Sequence, residues 1–163
     1  KNYKSFAEAR QNVSDMVGGR LEYNEDKKEW QFRDKSRRVY DIAATSEGVK
    51  KLSILDLLLG NHYLDNQSII LIDEVEANLH PSLISRLLDT ILSLANAGVQ
   101  FFIASHSYFV VKRLYIMAHQ QAMSIPVLSF EDGACQVGDL QQEMPKNPIV
   151  DESINLYMDE ISL

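Results

Sequence analysis

Apolar positions change their spacing several times along the chain, and each change marks an element. Between residues 3 and 17, Phe6, Ala9, Val13, Met16 and Val17 recur three and four apart. That is the period of an amphipathic helix, and Gly18 with Gly19 closes it. The period then falls to two: Leu21 and Tyr23 alternate with polar residues, Asn24 to Lys28 supply a turn, and Trp30 and Phe32 alternate again. This predicts a β-hairpin, with a third short strand over residues 38–42. From Ser46 the helical spacing returns through Val49, Leu52, Leu55, Leu58 and Leu59, and Gly60 with Asn61 gives the stop.

The second half follows a different rhythm. Ile69 to Ile72 is a continuous branched apolar run, the pattern of a strand buried on both faces of a parallel sheet. Pro81 can open a helix that ends at Gly98, "VQFFIAS" gives a second such strand, and "SYFVVKRLYIMAHQQ" a second helix. Strand, helix, strand, helix is the crossover unit of an α/β protein. "IPVLSF" and "ACQVG" predict two further strands around Asp132 and Gly133. "MPKNP" is a linker, and a last amphipathic helix covers residues 150–161. One domain is expected: a helix over 1–18, a hairpin region over 19–45, a central part over 46–138, and linker plus C-terminal helix over 139–163.

Composition narrows the class without changing this outline. A hydrophobic content of 45% and a charged content of 24% over 163 residues suit a globular domain with a sizeable core. No apolar run approaches the roughly 20 residues of a bilayer span, and the polar start is not a signal peptide, so a cytoplasmic protein without membrane contact is expected. Cys135 is the single cysteine, which excludes an internal disulfide. Sixteen basic against 23 acidic side chains give a net charge of −7, so no whole-domain footprint for nucleic acid exists. The one basic cluster, "RDKSRR" at Arg33 to Arg38, reads as a solvated turn between strands.

Candidate chemistry gathers at the predicted strand ends. In open α/β sheets, ligands sit at the carboxyl ends of the strands. "SIILIDEVEANLHP" places Asp73 and Glu74 at one such end, and "FFIASHS" places His106 at another. A carboxylate there suits Mg²⁺, which keeps several waters and takes one or two protein carboxylates along with phosphate oxygens; Asp73 fits. A second carboxylate can orient or deprotonate a water for attack on a phosphoryl group, and Glu74 fits that part. His106 can hydrogen-bond a terminal phosphate.

These stretches resemble a known family. "IILIDEVEANLHP" is similar to the Walker B motif and D-loop of ABC-type ATPases, in the branch of RecF, SMC proteins and the OLD-like or AAA-labelled ATPases of bacterial defence. "FFIASHS" resembles their switch-histidine loop, and "ATSEGVKKLSIL" their signature at a helix start. The resemblance implies the C-terminal lobe of a P-loop NTPase-like ABC head, an α/β fold with a mainly parallel sheet flanked by helices. It implies ATP and Mg²⁺ as cofactors, Asp73 as metal ligand, Glu74 as catalytic base, and His106 at the γ-phosphate. Ser46 and Gly48 would reach ATP bound to a second head. Residues 77–80 would form the D-loop at the dimer seam, with Asn78 counted, like Ser46 and Gly48, among the ATP-binding residues.

Three positions depart from the common pattern. The signature reads Thr-Ser-Glu-Gly, so Glu47 lies near a phosphate site and its side chain is expected to turn outward; Val75 and the pair His80–Pro81 follow the SMC-like and defence-type members. No G-x-x-x-x-G-K-[ST] pattern occurs in these residues, since Gly18 and Gly19 are followed by Arg20 and Leu21. The P-loop is therefore expected on an N-terminal segment outside this chain. The partner is expected to be a second copy or a homologous head, with DNA or an effector protein engaged through other domains. DNA repair and maintenance or phage defence would be the coupled process. Alternatives are a P-loop-less subunit completing a partner's site in trans, a DExx-type helicase, and a metal-dependent nuclease built from Asp73, Glu74 and Glu76. A zinc site from the four histidines, or an α/β domain whose acids merely cap a helix, complete the list.

Overall fold

A computed structural model describes residues 2–163, arranged as two compact units divided between Ala104 and Ser105. In the first unit, helix α1 (Asn2–Val17) leads into strands β1 (Gly19–Asn24), β2 (Glu29–Asp34) and β3 (Val39–Asp41). These pair antiparallel in that order, with Leu21 opposite Phe32 and Phe32 opposite Tyr40. The first turn is set by Asn24, whose Oδ1 accepts from the amides of Asp26 at 3.1 Å and Lys27 at 3.0 Å. A short 3₁₀ turn over Ile42–Ala44 follows β3, capped by Asp41, whose carboxylate accepts from Ala43 N at 2.8 Å.

Helix α2 (Glu47–Gly60), strand β4 (Ile69–Asp73), helix α3 (Pro81–Asn96) and strand β5 (Gln100–Ala104) complete the unit. Helix α1 packs against both α2 and α3. The buried side chains there are Ala9, Val13 and Met16 of α1, Leu52, Leu55 and Leu59 of α2, and Ile84, Leu87, Leu88 and Ile91 of α3. At about 25 cal/mol per Å² of apolar surface removed from water, this three-helix seam is the main stabilising element of the unit.

Strands β4 and β5 pair in parallel, with Ile70 opposite Phe101 and Asp73 opposite Ala104. Exposure alternates along both strands. Ile70, Ile72, Phe101 and Ile103 are half-buried, whereas Ile69 is 58% exposed, Leu71 77% and Phe102 54%. The continuous apolar run therefore does not mean burial on both faces within these residues. Helix α3 packs against β5, but one face of the pair carries its aliphatic side chains open to solvent.

The second unit contains helix α4 (Tyr108–Gln120), the hairpin β6 (Pro126–Glu131) and β7 (Ala134–Asp139), and helix α5 (Pro148–Ile161). Asp132 and Gly133 form the hairpin turn with φ of 48° and 79°. Two left-handed residues are what a type I′ turn requires, and Asp-Gly supplies them with little strain. Helix α5 begins at Pro148, two residues earlier than the periodicity predicts, because Asn147 caps it: its Oδ1 accepts from Val150 N at 3.0 Å and its Nδ2 donates to Ser129 Oγ at 3.2 Å. The fold is α/β, as its sequence pattern predicts.

Candidate functional site

The site is built where β4 ends and α2 begins. Asp73 is the last residue of β4, and the chain then leaves the sheet through Glu74, whose φ of 47° lies in the left-handed region. A non-glycine residue there is strained by about 1–2 kcal/mol, and such strain persists only where neighbouring contacts fix it. Two contacts do so. The Glu74 carbonyl accepts from Ala77 N at 2.9 Å and from Lys51 Nζ at 2.5 Å. Lys51 Nζ also donates to the Asp73 carbonyl at 3.1 Å. Val75, the next residue, is fully buried, whereas Asp73 and Glu74 are both exposed.

Helix α2 meets the same loop at its N-terminus. Ser46 is the N-cap, its Oγ accepting from Val49 N at 3.3 Å, and its carbonyl accepts from Lys50 N at 3.0 Å. The first-turn amides that a helix leaves without internal partners are gathered at this end. Gly48 is buried, and a Cβ there would lie 2.5 Å from the Asn78 carbonyl and 2.7 Å from Leu79 Cδ2. Only glycine lets the helix approach that closely. Glu47 points away: its carboxylate pairs with Lys50 Nζ at 2.6 Å, and its side chain is 66% exposed.

The segment from Glu74 to Pro81 is a chain of tight turns. Leu79 N donates to Glu76 O at 3.1 Å, and Asn78 has a φ of 57°. His80 then caps α3 through Nδ1, which accepts from Ser82 N at 3.3 Å, and Pro81 occupies the first helical turn, where its missing N–H costs nothing. The structure thus brings Ser46, Gly48, Asp73, Glu74 and Asn78 into one neighbourhood of the first unit. His106 follows Ala104 by two residues and belongs to the second unit.

Lys51 is the residue that sequence reasoning missed. Its signal was its place three residues after Gly48, on the flank of the helix face that carries Leu52 and Leu55 into the core. Among the described residues no group of three His, Cys, Asp or Glu side chains is close enough to hold a metal ion by itself. A lone exposed carboxylate at a strand end nevertheless fits a Mg²⁺ ion held mainly by phosphate oxygens and water. The two-metal nuclease and the histidine zinc site find no such cluster. No helix among the described residues is long and apolar enough to cross a membrane.

Comparison with known proteins agrees with the fold. Residues 2–112 match the family described as "AAA domain, putative AbiEii toxin, Type IV TA system". Among solved structures, an SMC ATPase studied for ATP-driven dimerisation and DNA-stimulated activation is similar over 100% of this chain and 98% of its own, at 20% identity and a TM-score of 0.54. The Smc head of Pyrococcus furiosus with an extended coiled coil, bound to the C-terminal domain of ScpA, is similar over 98% of this chain and 37% of its own (20% identity, TM-score 0.53). The Smc head of Pyrococcus yayanosii with a coiled coil and joint is similar over 83% and 26% (23% identity, TM-score 0.52). These likenesses establish the fold, that of an SMC-type ATPase head, and the chain spans well under half the length of both Pyrococcus chains. No curated protein matches the chain by sequence.

Proposed function

The chain belongs to this AAA-domain family, and on that premise we propose that residues 1–163 act as the hydrolytic and signature-bearing lobe of an ABC-type ATPase head. The observation that carries the proposal is the juncture of α2 with the β4 end. Gly48 lies against the Asn78 backbone and Lys51 holds the Asp73 and Glu74 carbonyls, so signature, Walker B and D-loop positions form one rigid corner.

In this reading Asp73 helps hold Mg²⁺, which supplies charge neutralisation on the phosphates. Glu74 accepts a proton from the attacking water at its carboxylate, and His106 contacts the γ-phosphate. Ser46 and the α2 N-terminus reach the γ-phosphate of ATP carried by a second head, which suits the free amides at a helix N-terminus. Asn78 lies in the D-loop at the seam between heads. The phosphate-cradling loop comes from a lobe outside these residues. The open face of β4 and β5, with Ile69, Leu71 and Phe102 in solvent, supports that lobe as its cover. The process coupled to ATP turnover is DNA maintenance or phage defence in the cytoplasm.

The experiment is ATP-dependent dimerisation of the intact protein, measured by light scattering after gel filtration. Wild type should dimerise with ATP, and Ser46→Arg should remain monomeric while still binding ATP. Equal dimerisation of the variant would remove Ser46 from the seam. Were this chain instead a subunit that completes a partner's site in trans, it would bind no ATP alone, and Ser46→Arg would abolish its partner's hydrolysis.

A further inference from the structure

Helix α5 ends with its apolar side chains uncovered. Val150 is buried, and no other residue of the helix is. Beyond it, Ile154, Tyr157, Met158 and Ile161 share one face at spacings of three and four, and each is more than half exposed. A helix of a globular protein normally turns such a face to a cover. Asp151, Glu152, Asp159 and Glu160 border it, and the helix holds no basic residue. None of these four carboxylates forms an ion pair among the described residues.

Helix α4 carries the opposite pattern. Phe109, Lys112, Ile116 and His119 are three, four and three apart, so they line up as a second stripe. Phe109 is 41% exposed and Ile116 36%, and Lys112 and His119 are exposed as well. No acidic residue occurs in this helix. Tyr115 flanks the stripe: Lys112 Nζ lies 5.2 Å from its ring centre, and the His119 ring meets it edge-on at 4.4 Å. Both polar groups are thus held beside the stripe, and neither has a carboxylate partner among the described residues.

We propose that α5 of one copy docks antiparallel on α4 of a second copy, and that the second copy's α5 docks on the first in return. The stripes match in length, since each spans ten residues, about 15 Å of helix. Antiparallel alignment sets Phe109 against the partner's Ile161, Ile116 against the partner's Ile154, and His119 against the partner's Asp151. It also brings Lys112 beside the partner's Asp159. Parallel alignment would set Phe109 on Asp151 and His119 on Ile161, crossing apolar with polar positions. Charge selects the same pairing, because α5 on α5 sets acid against acid and α4 on α4 sets cation against cation. A twofold exchange makes the contact twice and so doubles the apolar surface removed from water. Two short helix pairs still belong to the weak, transient class of interface. The contact therefore forms in concentrated solution and disperses on gel filtration, unlike dimers that ATP drives. Nothing in it depends on the nucleotide site, so either reading can fail alone.

The test is disulfide trapping in the intact protein, without nucleotide, in a background without other cysteines, Cys135→Ser included. Copies carrying Ile116→Cys are mixed with differently tagged copies carrying Ile154→Cys and oxidised. They should form a covalent heterodimer in at least about tenfold higher yield than Phe109→Cys mixed with Ile154→Cys, whose sites are offset by about 10 Å in this register. Adding Lys112→Glu to the first copy sets like charges together and should lower the yield several-fold, and Asp159→Lys in the second copy should restore it. All of the replaced α4 and α5 side chains are exposed, so these variants keep the fold. No heterodimer, equal yields from matched and offset pairs, a yield blind to the charge swap, or preferential linking of Ile154→Cys copies to one another would each overturn the proposal.

Discussion

Lys51 Nζ lies 2.5 Å from the carbonyl oxygen of Glu74 and 3.1 Å from that of Asp73, tying helix α2 to the end of β4 across 22 and 23 residues of chain. A charged donor bridging two carbonyls fixes both peptide planes, and with them the directions in which the two carboxylates leave the backbone. Hydrogen bonds to charged groups contribute about 1.5–3 kcal/mol. Replacing Lys51 with Met should therefore lower kcat for ATP hydrolysis by about tenfold or more, with KM for ATP little changed. Steady-state kinetics of the intact protein checks this; a change confined to KM would place Lys51 in ATP binding instead.

Gly48 makes the second tie between the same two segments. Gly48→Ala would set a methyl group 2.5 Å from the Asn78 carbonyl, and backbone cannot give way as a flexible side chain can. The expected cost is about 1–3 kcal/mol, visible as a fall in melting temperature. A melting temperature equal to wild type would show that helix and loop are free to separate at this corner.

Asp56, also on α2, makes a pH-dependent prediction. Burial pushes its carboxyl above the usual range, with Arg10 pulling it partly back, and its Oδ1 is buried without a hydrogen-bond partner. A folded-state pKa above the unfolded one means that ionisation detracts from stability, and the penalty grows as pH rises through the folded value. Asp56→Asn should raise the melting temperature near neutral pH by on the order of 1–2 °C. The gain should vanish in acid, where the wild-type carboxyl is protonated in both states. A larger gain in acid than at neutral pH would contradict this.

Asp139 works in the opposite direction. Its carboxylate accepts from Ser124 Oγ, from Gln141 N at 2.8 Å and from Ile125 N at 3.2 Å, and these bonds, Ser124 foremost, hold it below the usual range. Its contribution is complete above the unfolded pKa and is lost as pH falls through the folded one. Asp139→Asn should lower stability at neutral pH and flatten the acid limb of the melting curve. An acid limb identical to wild type would show that other carboxylates set it.

Much of the fold was legible because its signals are local. Asn24 set its turn, Pro81 opened α3, and Asp132 with Gly133 turned the last hairpin as their chemistry requires. The 3₁₀ turn after Asp41 carried a local signal too, an aspartate able to cap it, but three residues have no visible period. What the chain hid depends on partners distant in sequence. A run such as Ile69–Ile72 specifies a strand, yet whether its second face is covered depends on what packs there, and Leu71 remains open to solvent. Lys51 reads as one more helix lysine until the Glu74 carbonyl, 23 residues on, is found beside it. The candidate carboxylates were legible from their place at a strand end, but the left-handed turn that aims Glu74 was not.

The central claim is that Glu74 is the base of an ATPase site, and single-turnover hydrolysis of ATP by the intact protein tests it most directly. Glu74→Gln keeps the size of the side chain and removes the proton acceptor. It should bind ATP, accumulate ATP-bound dimers and slow phosphate release by about 100-fold or more, the span a general base typically contributes. Phosphate release at the wild-type rate, with dimers that disperse as quickly as those of the wild type, would contradict the account.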